Sequence, residues 1–195
     1  MSIILRELLP LLDKSNEIEI RKRGLNIIIS QISTILECSD DDWGDFFDSM
    51  MSILSSPKLL LLGLSTLVNV FAEKISLVDL LSESQFEGLI KKCKSCLERK
   101  KENVVNVTLM LLSNMTTSDL KSRAFFRAVE TSPGDTTFLQ YLLECFLLYN
   151  PQVEQEFLTK EDWENFDPWQ HAASVLCNIS RLEEGQRYIL IYSIY

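Results

Sequence analysis

The residues best placed to do chemistry in this chain are three asparagines in near-identical settings. They occur in Leu64-Ser-Thr-Leu-Val-Asn69-Val-Phe, Leu109-Met-Leu-Leu-Ser-Asn114-Met-Thr and Ala173-Ser-Val-Leu-Cys-Asn178-Ile-Ser. Each Asn follows a Leu by two positions and precedes an apolar residue, within an apolar helical pattern. A carboxamide offers both a donor and an acceptor, so an exposed column of them could hold the backbone of an extended peptide. Buried, the same group would instead tie a neighbouring loop or helix end into the stack. Composition leaves both readings open. A weaker copy, Ile27-Ile-Ile-Ser-Gln31-Ile-Ser, puts Gln in the Asn place.

Residues four and seven positions earlier share the Asn face of a helix: Ser65 with Leu62, Met110 with Val107, and Ser174 with His171. Nuclear-signal capture of the importin type would place Trp four residues before each Asn, and Ser65, Met110 and Ser174 stand there. The candidate concave face is therefore Asn69, Asn114, His171, Ser174 and Asn178, without that specificity.

His171 is the only histidine. Nucleophilic catalysis would require an activated nucleophile within its reach, and no nucleophile elbow of the G-x-S-x-G kind occurs. A packing or capping role is the simpler expectation. Cys93-Lys-Ser-Cys96 has the spacing of half a zinc site, but zinc needs four ligands and no second Cys/His pair lies nearby. Its expected role is two thiols on one helix face, amid a basic patch of lysines 91, 92, 94, 100 and 101. Glu161, Asp162, Glu164 and Asp167 surround Trp163, Phe166 and Trp169, a grouping suited to closing a joint between elements or to a partner contact. Six scattered glycines cannot build a nucleotide loop, so no cofactor is expected.

The elements that carry these residues read as helices throughout, since no two-residue alternation persists. Ser2 to Asp13 forms the first, bent or broken at Pro10, and Asn16 to Glu37 the second. Asp40-Asp-Asp caps a helix through Leu54, and Ser56-Pro57 starts the next, with Leu60, Leu64, Leu67, Val68 and Phe71 on one face. Ser82-x-x-Gln85 has capping-box spacing for a helix to about Lys100. Glu102–Thr116, Ser118–Glu130, Phe138–Tyr149, a short helix after Thr159, a helix opening at Asp167-Pro168 and a last one from Glu183 complete the series.

The polar positions 31, 69, 114 and 178 are separated by 38, 45 and 64 residues. The first two gaps bracket the roughly 40–47-residue period of armadillo and HEAT arrays. The third is long enough to hold inserted helices over 118–167. The expected architecture is all-α: one armadillo/HEAT-like, right-handed superhelical domain over 1–195, with about four repeats. The apolar end, Tyr188-Ile-Leu-Ile-Tyr-Ser-Ile-Tyr195, lacks the polar cap of a terminal repeat. It is expected either to continue into further repeats or to pack against a partner or another copy.

A net charge of −9 disfavours nucleic acid and anionic membranes and favours protein partners. The longest apolar run, Leu59 to Ala72, is too short for a membrane span, and Arg6 and Glu7 break up any leader. Five cysteines without a tight framework suit reduced thiols in the cytoplasm, or in the nucleus. Sequons at Asn106, Asn114 and Asn178 fall inside helical patterns and carry no weight.

The run Asp167-Pro-Trp-Gln-His171-Ala-Ala-Ser-Val-Leu-Cys-Asn178-Ile-Ser-Arg-Leu-Glu-Glu-Gly185-Gln-Arg187, with Leu111-Leu-Ser-Asn114-Met-Thr upstream, goes beyond a generic repeat. It resembles the N-terminal half of the Hgh-one family, also called brain protein sixteen, best over 104–190. The resemblance implies a non-catalytic, armadillo-like cytosolic adaptor for folding of translation elongation factor two, linked to the cytosolic chaperonin and the Hsp90 system. A generic armadillo scaffold or transport adaptor is the alternative.

Overall fold

The computed structural model describes residues 5–35, 39–99, 101–130, 138–139, 142–143 and 168–193. Those residues are helical with short connections, and no strand occurs among them. The chain divides into two compact units, Met1–Lys92 and Cys93–Tyr195.

In the first unit, α1 (Leu5–Leu12) holds Pro10 in its last turn and buries Leu5, Leu8 and Leu12. α2 (Ile18–Ser30) returns beside it. Contact is close at Gly24, where a Cβ would lie 3.0 Å from Leu12 Cδ2 and 3.1 Å from Leu11 Cβ. The second helix does not run unbroken to Glu37 as expected. It ends at Ser30, Gln31 forms a turn, and α3 (Ile32–Ile35) follows. Three β-branched residues, Ile27 to Ile29, weaken that last turn. Ser30 Oγ also donates to Ile27 O at 3.0 Å, beside the Gln31 N–H at 2.9 Å.

α4 (Asp40–Leu54) is capped by Ser39 rather than by the aspartates. Ser39 Oγ accepts from the Asp42 N–H at 3.4 Å and donates to Asp42 Oδ2 at 2.7 Å. Asp40, Asp41 and Asp42 instead fill the first turn, where the macrodipole favours negative charge. α5 (Leu60–Glu73) starts three residues after Pro57. The Ser56 N–H closes the end of α4 on Ile53 O, and Ser56 O accepts from Leu59 N–H, so a turn occupies the interval.

The core between α4 and α5 is aromatic. Trp43 meets Phe46 edge-on at 5.4 Å, and Phe47 reaches Phe71 at 5.8 Å. The expected face of α5, Leu60, Leu64, Leu67, Val68 and Phe71, is buried throughout. α1 also packs on α4, and α2 on α5, so the two hairpins lie one upon the other, first helix on first and second on second.

A 3-10 helix, Ile75–Leu80, closes this unit by burying Leu77 and Val78. It has no counterpart in the expected elements. α6 (Glu83–Glu98) then begins on a reciprocal capping box: Ser82 N–H donates to Gln85 Oε1 at 3.0 Å and Gln85 N–H to Ser82 Oγ at 3.2 Å. Gln85 Nε2 also donates to Asp48 Oδ1 and Gly44 O on α4.

In the second unit, α7 (Glu102–Met115) buries Leu109, Leu111, Leu112 and Met115. α8 (Asp119–Glu130) is capped as expected, with Lys121 N–H donating to Ser118 Oγ at 3.2 Å. α9 (Pro168–Ser180) starts on its proline and packs against α7, α8 and α10 (Glu183–Ser193). Of the expected helix Phe138–Tyr149 only 138–139 and 142–143, both helical, are among the described residues, and the short helix after Thr159 and positions 161–167 of the acidic-aromatic group lie outside them.

Candidate binding face

The three asparagines of the shared motif occupy three different environments. Asn69 is exposed on α5, and its Nδ2 donates to Ser65 O one turn back at 2.8 Å. That bond uses one N–H and leaves the carboxamide an acceptor oxygen and a second donor. Leu62 and Ser65, on the same face, are half-buried.

Asn114 is half-buried at the end of α7, where its carbonyl accepts from the Thr117 N–H at 3.3 Å. Asn178, on α9, reaches across to that same end. Its Nδ2 donates to Ser113 O at 3.1 Å and to Thr116 Oγ1 at 3.2 Å. Arg181, one turn further, donates from Nε to Asn178 O and from Nη2 to Thr116 O and Thr117 O, and Nη2 pairs with Asp119 at 3.5 Å. Ser122 Oγ donates to Thr116 O at 2.6 Å, fully buried. The last carbonyls of a helix have no partner within it, and here α8 and α9 supply those partners. Asn178 thus does the tying job, while Asn69 keeps the exposed one.

His171 and Ser174 lie half-buried on α9, three residues apart, and Ser174 Oγ donates to Gln170 O in its own helix. Asn178 bonds to Ser113, Thr116 and Arg181. Asn69 belongs to the first unit.

Gln31, the weaker sequence copy, lies in the turn after α2 instead of on a helix face. A different residue takes its place. Asn26 is exposed on α2, the helix that packs beside α5. It sits two residues from Gly24, whose bare side faces α1, and so points to the opposite side of its helix. The interval from 26 to 69 is 43 residues, close to the 45 from 69 to 114. That spacing is a signal the Leu-two-before pattern overlooks, because Leu25 directly precedes Asn26.

Cys93 and Cys96 are buried on α6. Burial, reinforced by the neighbouring Cys96, pushes the Cys93 thiol far above its ordinary range, which keeps it protonated and unreactive. Among the described residues, no group of three or more His, Cys, Asp or Glu side chains could hold a metal ion. No helix among them is long and apolar enough to cross a membrane.

No family model matches the chain, and no curated protein shows significant similarity to it.

Proposed function

We propose that this protein is a non-catalytic, armadillo/HEAT-like binding array that holds another protein, acting as a cytoplasmic chaperone adaptor for translation elongation factor two. The observation that carries the array reading is the stacking in the first unit. α1 lies on α4 and α2 on α5, with helix pairs joined by short turns. That in-register stacking of hairpins is the step a helical repeat array propagates, each repeat burying its apolar face on the next. The second helices present Asn26 and Asn69 to solvent at a 43-residue interval. Exposed carboxamides recurring on neighbouring helices suit backbone groups of a polypeptide better than a small molecule.

The adaptor assignment rests on the run from Asp167 to Arg187. Several of its members have packing work: Pro168 opens α9, Asn178 ties the end of α7, and Gly185 sits against Ile179. The run therefore marks a way of joining helices as much as a client site.

Immobilised full-length protein, incubated with cytosolic lysate and probed for elongation factor two and the chaperonin, tests the reading. Recovery of both, reduced by Asn26→Ala/Asn69→Ala in a chain of unchanged helicity, supports it. Absence of both from the bound fraction of a lysate that contains them refutes the adaptor role.

A further inference from the structure

One feature of the sequence has no part in the array: the basic stretch at the end of α6. Residues 91–101 hold Lys91, Lys92, Lys94, Arg99, Lys100 and Lys101 against a single acid, Glu98. That is six of the 19 basic residues within eleven positions of a chain whose net charge is −9.

α6 sorts these residues by face. Phe86, Leu89, Ile90, Cys93, Cys96 and Leu97 are buried and, at 100° per residue, fall within one sector of the helix. Lys91 lies opposite that sector with 77% of its side chain exposed, and Lys92 and Lys94 flank it. Arg99 is exposed in the turn directly after α6, and Lys101 is exposed at the N-cap of α7. Cations near a helix C-terminus complement its macrodipole, but that accounts for the last turn, and Lys91 and Lys92 lie about two turns before the end of α6.

We propose that the outer face of the C-terminal half of α6 is a docking strip for an acidic, Asp/Glu-rich extended segment of a partner protein. Charge complementarity selects the occupant. A cationic strip on an otherwise acidic molecule attracts a short acidic segment locally, whereas the field of the whole chain opposes a long polyanion. Glu87, 4.0 Å from Lys91, and Glu98 interrupt the strip, which disfavours a continuous phosphate backbone. The aromatic residue of α6, Phe86, is buried, so the strip has no ring on which a nucleic-acid base could stack. Five of the six cations at 91–101 are lysines, point charges without the planar fork that grips phosphate in two places, and Arg99 alone carries one.

This inference rests on the protein-binding reading above but concerns a different surface, so the two can fail separately. The test is fluorescence anisotropy of a labelled twelve-residue Glu/Asp/Gly peptide against the purified full-length chain. Binding is expected to weaken as salt rises from low to physiological ionic strength. Lys91→Glu/Lys92→Glu/Arg99→Glu, with helicity unchanged by circular dichroism, is expected to weaken it by about tenfold or more. Lys14→Glu/Lys22→Glu/Lys58→Glu makes the same change in net charge elsewhere and is expected to shift affinity by less than about threefold.

Equal losses in the two triple variants would show net charge alone at work and overturn the strip. A single-stranded RNA of equal charge binding tighter than the peptide would overturn the choice of occupant. No peptide binding, with elongation factor two still recovered from lysate, would sink this inference and leave the adaptor reading intact. Peptide binding without that recovery would do the reverse.

Discussion

Asn69 and Asn178 stand in nearly the same local sequence, yet one faces solvent from the first unit and the other binds two α7 groups in the second. The difference lies in what each helix meets. α5 spends its buried sector on α2, α4 and the 3-10 helix, which leaves Asn69 outside. α9 crosses the end of α7, where Ser113 O has no backbone N–H of its own helix to accept from, and Asn178 joins the Thr117 hydroxyl in serving it. A repeated motif therefore fixes a helix face, while the neighbour decides whether that face binds inwardly or outwardly.

The second unit's arrangement depends most on Gly185. A Cβ there would lie 2.1 Å from Ile179 O, a backbone atom that cannot rotate away. Gly185→Ala is expected to force α10 off α9 and to destabilise the protein by about 3 kcal/mol or more, read by urea denaturation. Gly63→Ala is the matching change in the first unit. Its contacts, Ile53 Cγ2 at 2.7 Å and Leu54 Cδ2 at 3.1 Å, are side-chain atoms that can shift, so a smaller loss of about 1–2 kcal/mol is expected. Equal losses would mean that α9 and α10 yield as easily as side chains do.

The two arginines sharpen the contrast next. Arg21 is only 7% exposed, with Nε donating to Leu12 O at the end of α1 and Nη2 to Ser52 Oγ on α4. Arg181 does the corresponding work for α7 with 47% of its side chain exposed. Arg21→Ala is expected to cost about 2–3 kcal/mol, because a carbonyl and a cavity are left behind. Arg181→Ala should cost about 1 kcal/mol, since water can reach what it vacates. Thermal or urea unfolding of the two variants side by side checks the order.

The asparagines themselves come third. Asn178→Ala removes the amide that bridges Ser113 O and Thr116 Oγ1 and, with Thr117 Oγ1 still donating to Ser113 O, is expected to cost about 1 kcal/mol. Asn69→Ala removes a bond within one exposed helix and gains helix propensity, so its stability should change by less than about 0.5 kcal/mol. Its effect should appear in client recovery instead. A stability loss at position 69 as large as that at 178 would erase the distinction.

The sequence made some of this plain and hid the rest for identifiable reasons. Ser82 with Gln85, Ser118, Pro168 and the buried stripe of α5 were all legible, because their signals act within one turn of helix. Ser39 was hidden by the three aspartates after it, which look equally capable of capping. The roles of Arg21 and Arg181 had no local signal at all, and the motif offered tying as one of two readings without marking Asn178 as the residue that does it. Their partners lie 31, 65 and 65 residues away, so only the packing of helices shows that a carbonyl needs them. Asn26 was hidden differently, by a search tuned to Leu two positions before the amide.

The smallest expected effect separates the two units by pH. In the turn between α1 and α2, Asp13 Oδ1 accepts from Ser15 Oγ at 2.6 Å and from Ser15 N–H at 2.8 Å. These bonds, the side-chain one first, hold the Asp13 carboxyl below its ordinary value of 3.8. Because the folded value is the depressed one, the turn's contribution is present above pH 3.8 and is lost as pH falls below it, through the lower folded value. The bonds that Asn178 and Ser122 make to the end of α7 carry no group that titrates in that window. An NMR titration should therefore move the Ser15 amide only below pH 3.8, in step with the Asp13 carboxyl, while the Asn178 side-chain amide stays fixed. Asp13→Asn keeps an acceptor oxygen for Ser15 and should abolish the first shift without disturbing the second. Movement of both amides together would mean that acid loosens the fold as a whole, rather than a charged turn in one unit and not a neutral tie in the other.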